Sequence, residues 1–234
     1  MLDQAFEALK TYDWGMDPKV LEPIDKAVIS KDAEAGRKEL ETRLAAVLKS
    51  DSTRDAKDYV CRKLMVIGTA ASVPALAPLL SEKDYSHMAR YALERIPASE
   101  AAGAMRSALP KLSSELQVGV ISSLGARRDT ESVAALAKLL GEADAAVARA
   151  AAYALGAIRN GEAARALAKA QPSSPEVKQA ATDASLACAE ELLAAGKKAE
   201  ATAVYKRFIG EDHPKHVRLA ATRGMLAVAG KREP

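Results

Sequence analysis

Aromatic residues are scarce in this chain: Phe, Trp and Tyr together make up 4% of its 234 residues. A core with so few rings must be filled mainly by Ala, Leu and Val. These side chains let helices approach closely and give little to hold a sheet together. No segment of useful length alternates apolar and polar residues with period two, which excludes a sheet. Cysteine is almost absent. Cys61 and Cys188 lie far apart and form no C-x-x-C, so a disulfide framework is excluded and two buried free thiols are expected. No run nears the ~18 consecutive apolar residues of a membrane-spanning helix. Asp3 and Glu7 interrupt what would otherwise be a signal-peptide core. The chain is expected to be soluble, cytoplasmic by default, and exported only if Met1 is not the natural start. Neither sign of charge dominates, with 34 Lys and Arg against 31 Asp and Glu and a net charge of +3. That balance gives nucleic acid no special attraction.

Catalytic groups are missing as well. The three histidines are His87, His213 and His216, and none sits in H-E-x-x-H. His213 and His216 have i, i+3 spacing, but Pro214 lies between them, and an exposed pair at a helix start is expected rather than a metal site. There is no G-x-S-x-G, no phosphate-cradling glycine loop and no Cys–His nucleophile pattern. No enzymatic activity, cofactor or metal is expected.

What the sequence does have is a period. Leu64, Leu93, Leu124, Leu155 and Leu186 align at steps of 29, 31, 31 and 31 residues. Around them run KLMVIGTAASVPALAPLL (63–80), ALERIPASEAAGAMRSAL (92–109), SLGARRDTESVAALAKLL (123–140) and ALGAIRNGEAARALAKA (154–170). A fixed period of this length marks units that bury their apolar faces only by stacking on one another. The first helix of each unit carries the aligned Leu, an apolar residue four before it (Val60, Ala89, Val120, Ala151) and one three after it (Ile67, Ile96, Ile158). That spacing is one helical face. Gly68, Pro97, Gly125 and Gly156 follow, where the helix is expected to stop and turn. The second helix carries Val73, Leu76 and Leu80, then Ala102, Met105 and Leu109, then Val133, Leu136 and Leu140, then Ala164 and Leu167.

The ends keep this rhythm less well. Residues 1–50 hold three helical stripes and are expected as an N-terminal helical cap. Asp17-Pro18 opens the second stripe and Pro23 falls in its first turns. Residues 51–170 form the repeats, and residues 171–234 a C-terminal helical hairpin and cap after the turn-rich joint at 171–175. The fold class is all-α, an α-solenoid of stacked antiparallel helix pairs read as one continuous body.

Residues 72–80 (SVPALAPLL) and 147–158 (VARAAAYALGAI) resemble HEAT-like repeats of the short kind also found in bilin lyases. The resemblance covers about 51–170 and implies an α-solenoid scaffold. The period is shorter than the ~40 residues or more of full HEAT units. Residues 195–205 (AGKKAEATAVY) resemble a tetratricopeptide hairpin through a turn glycine, Ala201 and Tyr205. None of the histidines is followed by Glu, so the His-Glu pairs that carry iron in helical-repeat hydroxylases are absent.

Cations recur with the repeat. Arg128 and Arg159 are 31 residues apart, as are Lys138 and Lys169, with Ser107 a further 31 before Lys138. Arg106 and Arg165 lie near the lysine row. Arg127 stands where the other units place Ile67, Ile96 and Ile158; its stem can cover apolar surface while its head bonds the last carbonyls of its helix. Arg106, Arg127, Arg128, Lys138, Arg159, Arg165 and Lys169 are therefore the candidate partner-binding residues of a groove and its rim. Such charges can equally be a solvated face. Tyr91 and Tyr153 share a repeat position and are expected to pack between hairpins, and Trp14 to cover the N-terminal cap. The expected function is a non-catalytic, monomeric interaction scaffold that binds a protein, an acidic segment or a neighbouring domain, along the groove. Two other readings stay open: resemblance to helical-repeat proteins that cradle DNA implies nucleic-acid binding, and resemblance to bilin lyases implies chromophore handling.

Overall fold

Four helix starts are set by side chains that accept from the first free amides. Thr53, Asp144, Asn160 and Ser174 each accept a backbone N–H two or three residues on, at 2.7–3.3 Å. The computed structural model describes residues 1–30, 34–172 and 174–230, and among them fourteen α-helices and no strand. The chain forms two compact units, Met1–Val120 and Ile121–Pro234.

In the first unit, α1 (Leu2–Lys10) buries Ala5, Phe6 and Leu9. The Asp17 carboxylate accepts the Lys19 N–H and starts a 3-10 turn. Next come α2 (Glu22–Ile29), with Pro23 in its first turn, and α3 (Glu34–Leu48). α4 (Arg54–Ile67) packs on α3 and on α6 (Ser86–Arg95), which is followed by α7 (Ser99–Ala108). The expected single helix through Val73, Leu76 and Leu80 is broken. Only α5 (Val73–Leu76) is α-helical, between the 3-10 turns Ala70–Ser72 and Ala77–Ser81. Pro74 and Pro78 each remove a backbone donor, and their rings crowd the preceding turn. One buried acid holds this broken helix in place. Glu41 of α3 accepts the Thr69 N–H at 2.7 Å, the Thr69 hydroxyl at 2.9 Å and the Ser72 hydroxyl at 2.5 Å.

α8 (Ser114–Ala126) crosses the border between the units. The second unit continues with α9 (Val133–Leu139), α10 (Ala145–Ile158), α11 (Gly161–Lys169), α12 (Pro175–Ala194), α13 (Lys198–Tyr205) and α14 (Lys215–Val228). α10 packs on α9, α11 and α12, α9 on α11, and α13 on α12 and α14. Of the expected joint at 171–175, Ser173 lies outside the described residues. The hairpin of α12 and α13 turns on Gly196, at φ 75°. Its Ala201 is buried, and the Tyr205 ring lies against the Gly224 backbone of α14.

The aligned leucines Leu64, Leu93, Leu124 and Leu155 are all fully buried, and so are Val60, Ala89, Val120 and Ala151 four residues before them. The fifth alignment slips. Leu186 is half-buried, and Cys188 is the fully buried residue instead, with its thiol 3.8 Å from the Leu155 carbonyl. Both cysteines are free and buried, as the spacing predicts.

Gly125 and Gly156 do not end their helices. Both sit inside, where the next helix presses closest. A β-carbon on Gly125 would lie 2.8 Å from the Ala154 Cα, and one on Gly156 would lie 2.9 Å from the Ala184 Cα. Their small size sets the close approach of α8 to α10 and of α10 to α12. Turning is done by the residues that follow.

Candidate functional site

Those residues are arginines. Arg128 has φ 52° and Arg159 has φ 56°, both left-handed, and they are the described residues other than glycine with positive φ. After α8 the Arg128 N–H bonds to the Gly125 carbonyl at 2.9 Å and the Asp129 N–H to the Leu124 carbonyl at 3.0 Å. This is the paired closure of a Schellman cap, whose left-handed position is usually glycine. After α10 the Arg159 N–H closes on the Leu155 carbonyl at 3.1 Å, the simpler left-handed cap. The Arg159 Nε also donates to the Gly156 carbonyl at 3.0 Å. Arg128 is exposed, Arg159 is half-buried, and Arg127, in the place of the buried isoleucines, is half-buried.

Lys138 and Lys169 are both exposed in the last turns of α9 and α11, each two residues after a buried leucine, Leu136 or Leu167. Because α9 and α11 pack together, the two lysines hold equivalent places on neighbouring helices. Arg165 is exposed on α11 with Nη1 3.9 Å from Glu200 Oε2. Arg106 is half-buried in the last turn of α7, in the first unit. The structure thus gathers Arg127, Arg128, Lys138, Arg159, Arg165 and Lys169 in the second unit and leaves Arg106 in the other.

An acidic row escaped the reading of the cations. Glu131 opens the turn before α9 and Glu162 opens α11, again 31 residues apart. Each precedes its lysine by seven residues, about two helical turns. Acids at helix starts and cations at helix ends both complement the helix dipole. The face therefore carries charge of both signs, and the signal was present in the same periodicity that showed the lysines.

Aromatic exposure also departs from expectation. Tyr91 and Tyr153 are 39% and 56% exposed, so they are not packed between hairpins. Tyr153 stands at a surface pocket of about 270 Å³, shared with Gly156, Arg159 and Asp183. Trp14 leans edge-on against Tyr12 at 5.6 Å, and the Arg62 guanidinium lies 4.5 Å over its face, leaving it 48% exposed. A larger, shallow cavity of about 800 Å³ lies between α12, α13 and α14, lined by Leu193, Tyr205 and Leu226. His213 packs against Phe208, and His216 is exposed. Among the described residues no group of three His, Cys, Asp or Glu could hold a metal ion, and no helix is long and apolar enough to cross a membrane.

Residues 104–186 match the family model of HEAT repeats. A comparison with curated protein sequences found no match. Among solved structures, an engineered protein is 21% identical, with 89% of this chain and 96% of that one covered and a TM-score of 0.44. An archaeal HEAT-like repeats protein from Thermococcus onnurineus NA1 is 15% identical, covering 98% and 92% of the two chains at a TM-score of 0.43. Human deoxyhypusine hydroxylase in complex with glycerol is 16% identical, covering 90% and 96% at 0.40. All three scores lie below 0.5, so the assignment rests on the matched segment and on the helical hairpins themselves. Over residues 104–186, about a third of its length, the chain is similar to the HEAT-repeat family.

Proposed function

We propose that this chain is a non-catalytic scaffold that binds a partner protein, through an acidic segment or a neighbouring domain, on the second-helix face of its second unit. The carrying observation is the repetition of one exposed cation at one place: Lys138 on α9 and Lys169 on the adjoining α11, with Arg165 one turn before Lys169 on the same helix. The apolar residues of these helices, Val133, Leu136, Ala163, Ala164 and Leu167, are already buried in the unit. What remains for a partner is charge and small side chains. Charged, solvent-facing residues contribute little to folding beyond a small helix-dipole effect, so reversing them leaves the fold intact.

The test is capture of partners from the host extract by the parent chain and by the double variant K138E/K169E. The expected result is a protein retained by the parent and lost by the variant, whose unfolding temperature falls only slightly because two charges that complement helix dipoles are reversed. Equal retention by both defeats the assignment of this face. Retention of duplex DNA, with an affinity that falls steeply as salt rises, replaces the protein partner with nucleic acid.

A further inference from the structure

The last helix is apolar on two sides. α14 buries Val217 and Ala221 within the second unit. On the opposite side, at about 3.6 residues per turn, Leu219, Arg223 and Leu226 fall in one line with Ala220 and Ala227 beside them. Steps of four and three residues make the seam of paired helices. Leu219 is 53% exposed, Ala220, Arg223 and Ala227 are exposed, and Leu226 is half-buried.

This seam borders the second unit's larger cavity. Between α10 and α12 the small residues Gly156 and Ala184 bring the backbones together. Between α12 and α14 a cavity of about 800 Å³ opens instead. Tyr205 of α13, buried and set against Gly224, lines it together with Leu193 and Ala194 of α12 and Leu226 and Ala227 of α14. Two helices with an apolar groove between them accept the apolar stripe of a third.

Charge decides the occupant. α14 carries Lys215, Arg218 and Arg223 and no acid, and of these cations Arg223 is the one in the seam. A charge among apolar contacts fixes register and rejects partners that leave it opposite carbon or a like charge. That disfavours a second copy of this chain. Arg223 is midway between Leu219 and Ala227, so a two-fold axis through the seam sets it against its own copy. A carboxylate is its complement, and the several donors of a guanidinium can take one in addition to a contact inside the chain. Glu190 borders the same cavity from α12 and repels a carboxylate, which keeps the partner's acid on the α14 side. We propose that the α14 seam and the cavity beside it dock an amphipathic helix of a partner protein. Its apolar stripe lies in the groove, and one acid within that stripe pairs with Arg223. Nothing in this site rests on Lys138 or Lys169.

Fluorescence anisotropy with two labelled helical peptides tests this. Both carry the same stripe of leucines, one with glutamate at its centre and the other with lysine. The parent chain is expected to bind the glutamate peptide at least about tenfold more tightly. Arg223→Glu is expected to reverse that order, and Leu219→Ser to weaken both peptides. Both positions are exposed, so the unfolding temperature should change little. K138E/K169E is expected to bind the glutamate peptide as the parent does. A parent that binds neither peptide, an absent preference, or a preference that Arg223→Glu leaves in place overturns the proposal. Loss of binding in K138E/K169E with none in Leu219→Ser moves the peptide to the lysine face and overturns it too. A parent that sediments as a dimer, returned to monomer by Leu219→Ser, makes the occupant a second copy and also overturns it.

Discussion

Gly156 and Ala184 lie so close that a β-carbon on the glycine would sit 2.9 Å from the alanine Cα, inside any normal carbon contact. The Gly125–Ala154 contact repeats the relationship one unit earlier. The atoms met are backbone and cannot swing aside, so Gly156→Ala should force α10 and α12 apart. The expected loss is about 1–3 kcal/mol by urea unfolding. Gly36→Ala supplies the opposite sign. Its β-carbon would meet nothing within 4 Å on α3, so helix propensity alone acts and stability should rise by about 1 kcal/mol. Two changes of the same sign would show that packing does not set the role of Gly156.

Leu124→Ala tests the register. Leu124 is fully buried with Val120 one helical turn before it and Leu136 from the following helix also buried. Truncation should cost about 2–5 kcal/mol. A loss below about half a kcal/mol would place this leucine at the surface and contradict the alignment on which the repeats rest.

The stripe at Leu64, Leu93, Leu124 and Leu155 was legible because burial follows helical periodicity directly. The end of that legibility is at Leu186, where Cys188 and Ala189 take the buried places. Nothing local distinguishes two small apolar neighbours; packing against α10 decides. Gly125 and Gly156 look like stop signals, since glycine favours turns. Their use as close-contact points depends on a neighbouring helix that no short window contains. The left-handed arginines were legible as a spacing and not as a conformation, because arginine has no preference that would announce it. Pro74 and Pro78 were visible, yet the apolar spacing around them outweighed their effect on the helix.

Both thiols predict a pH dependence. Burial pushes Cys61 from an ordinary 9.0 up to about 12, and does the same for Cys188. The folded chain therefore holds these protons more tightly than the unfolded chain. Stability from this source is complete below pH 9 and falls as pH rises from there toward 12. Stability measured by denaturant between pH 8 and 10.5 should decline, and the decline should be shallower in Cys61→Ala and Cys188→Ala variants. At pH 8 a thiol reagent should label the native chain only as fast as it opens. Immediate labelling of both cysteines would show that they are not inside.

Tyr59 ties α4 to α2 in the first unit. Its hydroxyl donates to Asp25 at 2.6 Å, and Lys63 pairs with the same carboxylate at 2.6 Å while lying over the Tyr59 ring. Burial and the Asp25 carboxylate both raise the Tyr59 pKa, so the hydroxyl stays a donor at all working pH values. Tyr59→Phe should cost about 1–2 kcal/mol by thermal or urea unfolding. An unchanged stability would mean that Lys63 alone satisfies Asp25.

The Glu41 carboxylate has a consequence for how this chain can be divided. The turn that opens the first repeat's second helix draws its acceptor from α3, 28 residues upstream and outside the repeat altogether. A fragment cut at the sequence period, beginning near residue 51, would take the acceptor from the Thr69 amide and the Ser72 hydroxyl and uncover that turn to water. The period that organises the sequence is thus not a set of seams. Shuffling or transplanting these repeats must carry α3 along, or supply a new acid for the turn it leaves behind.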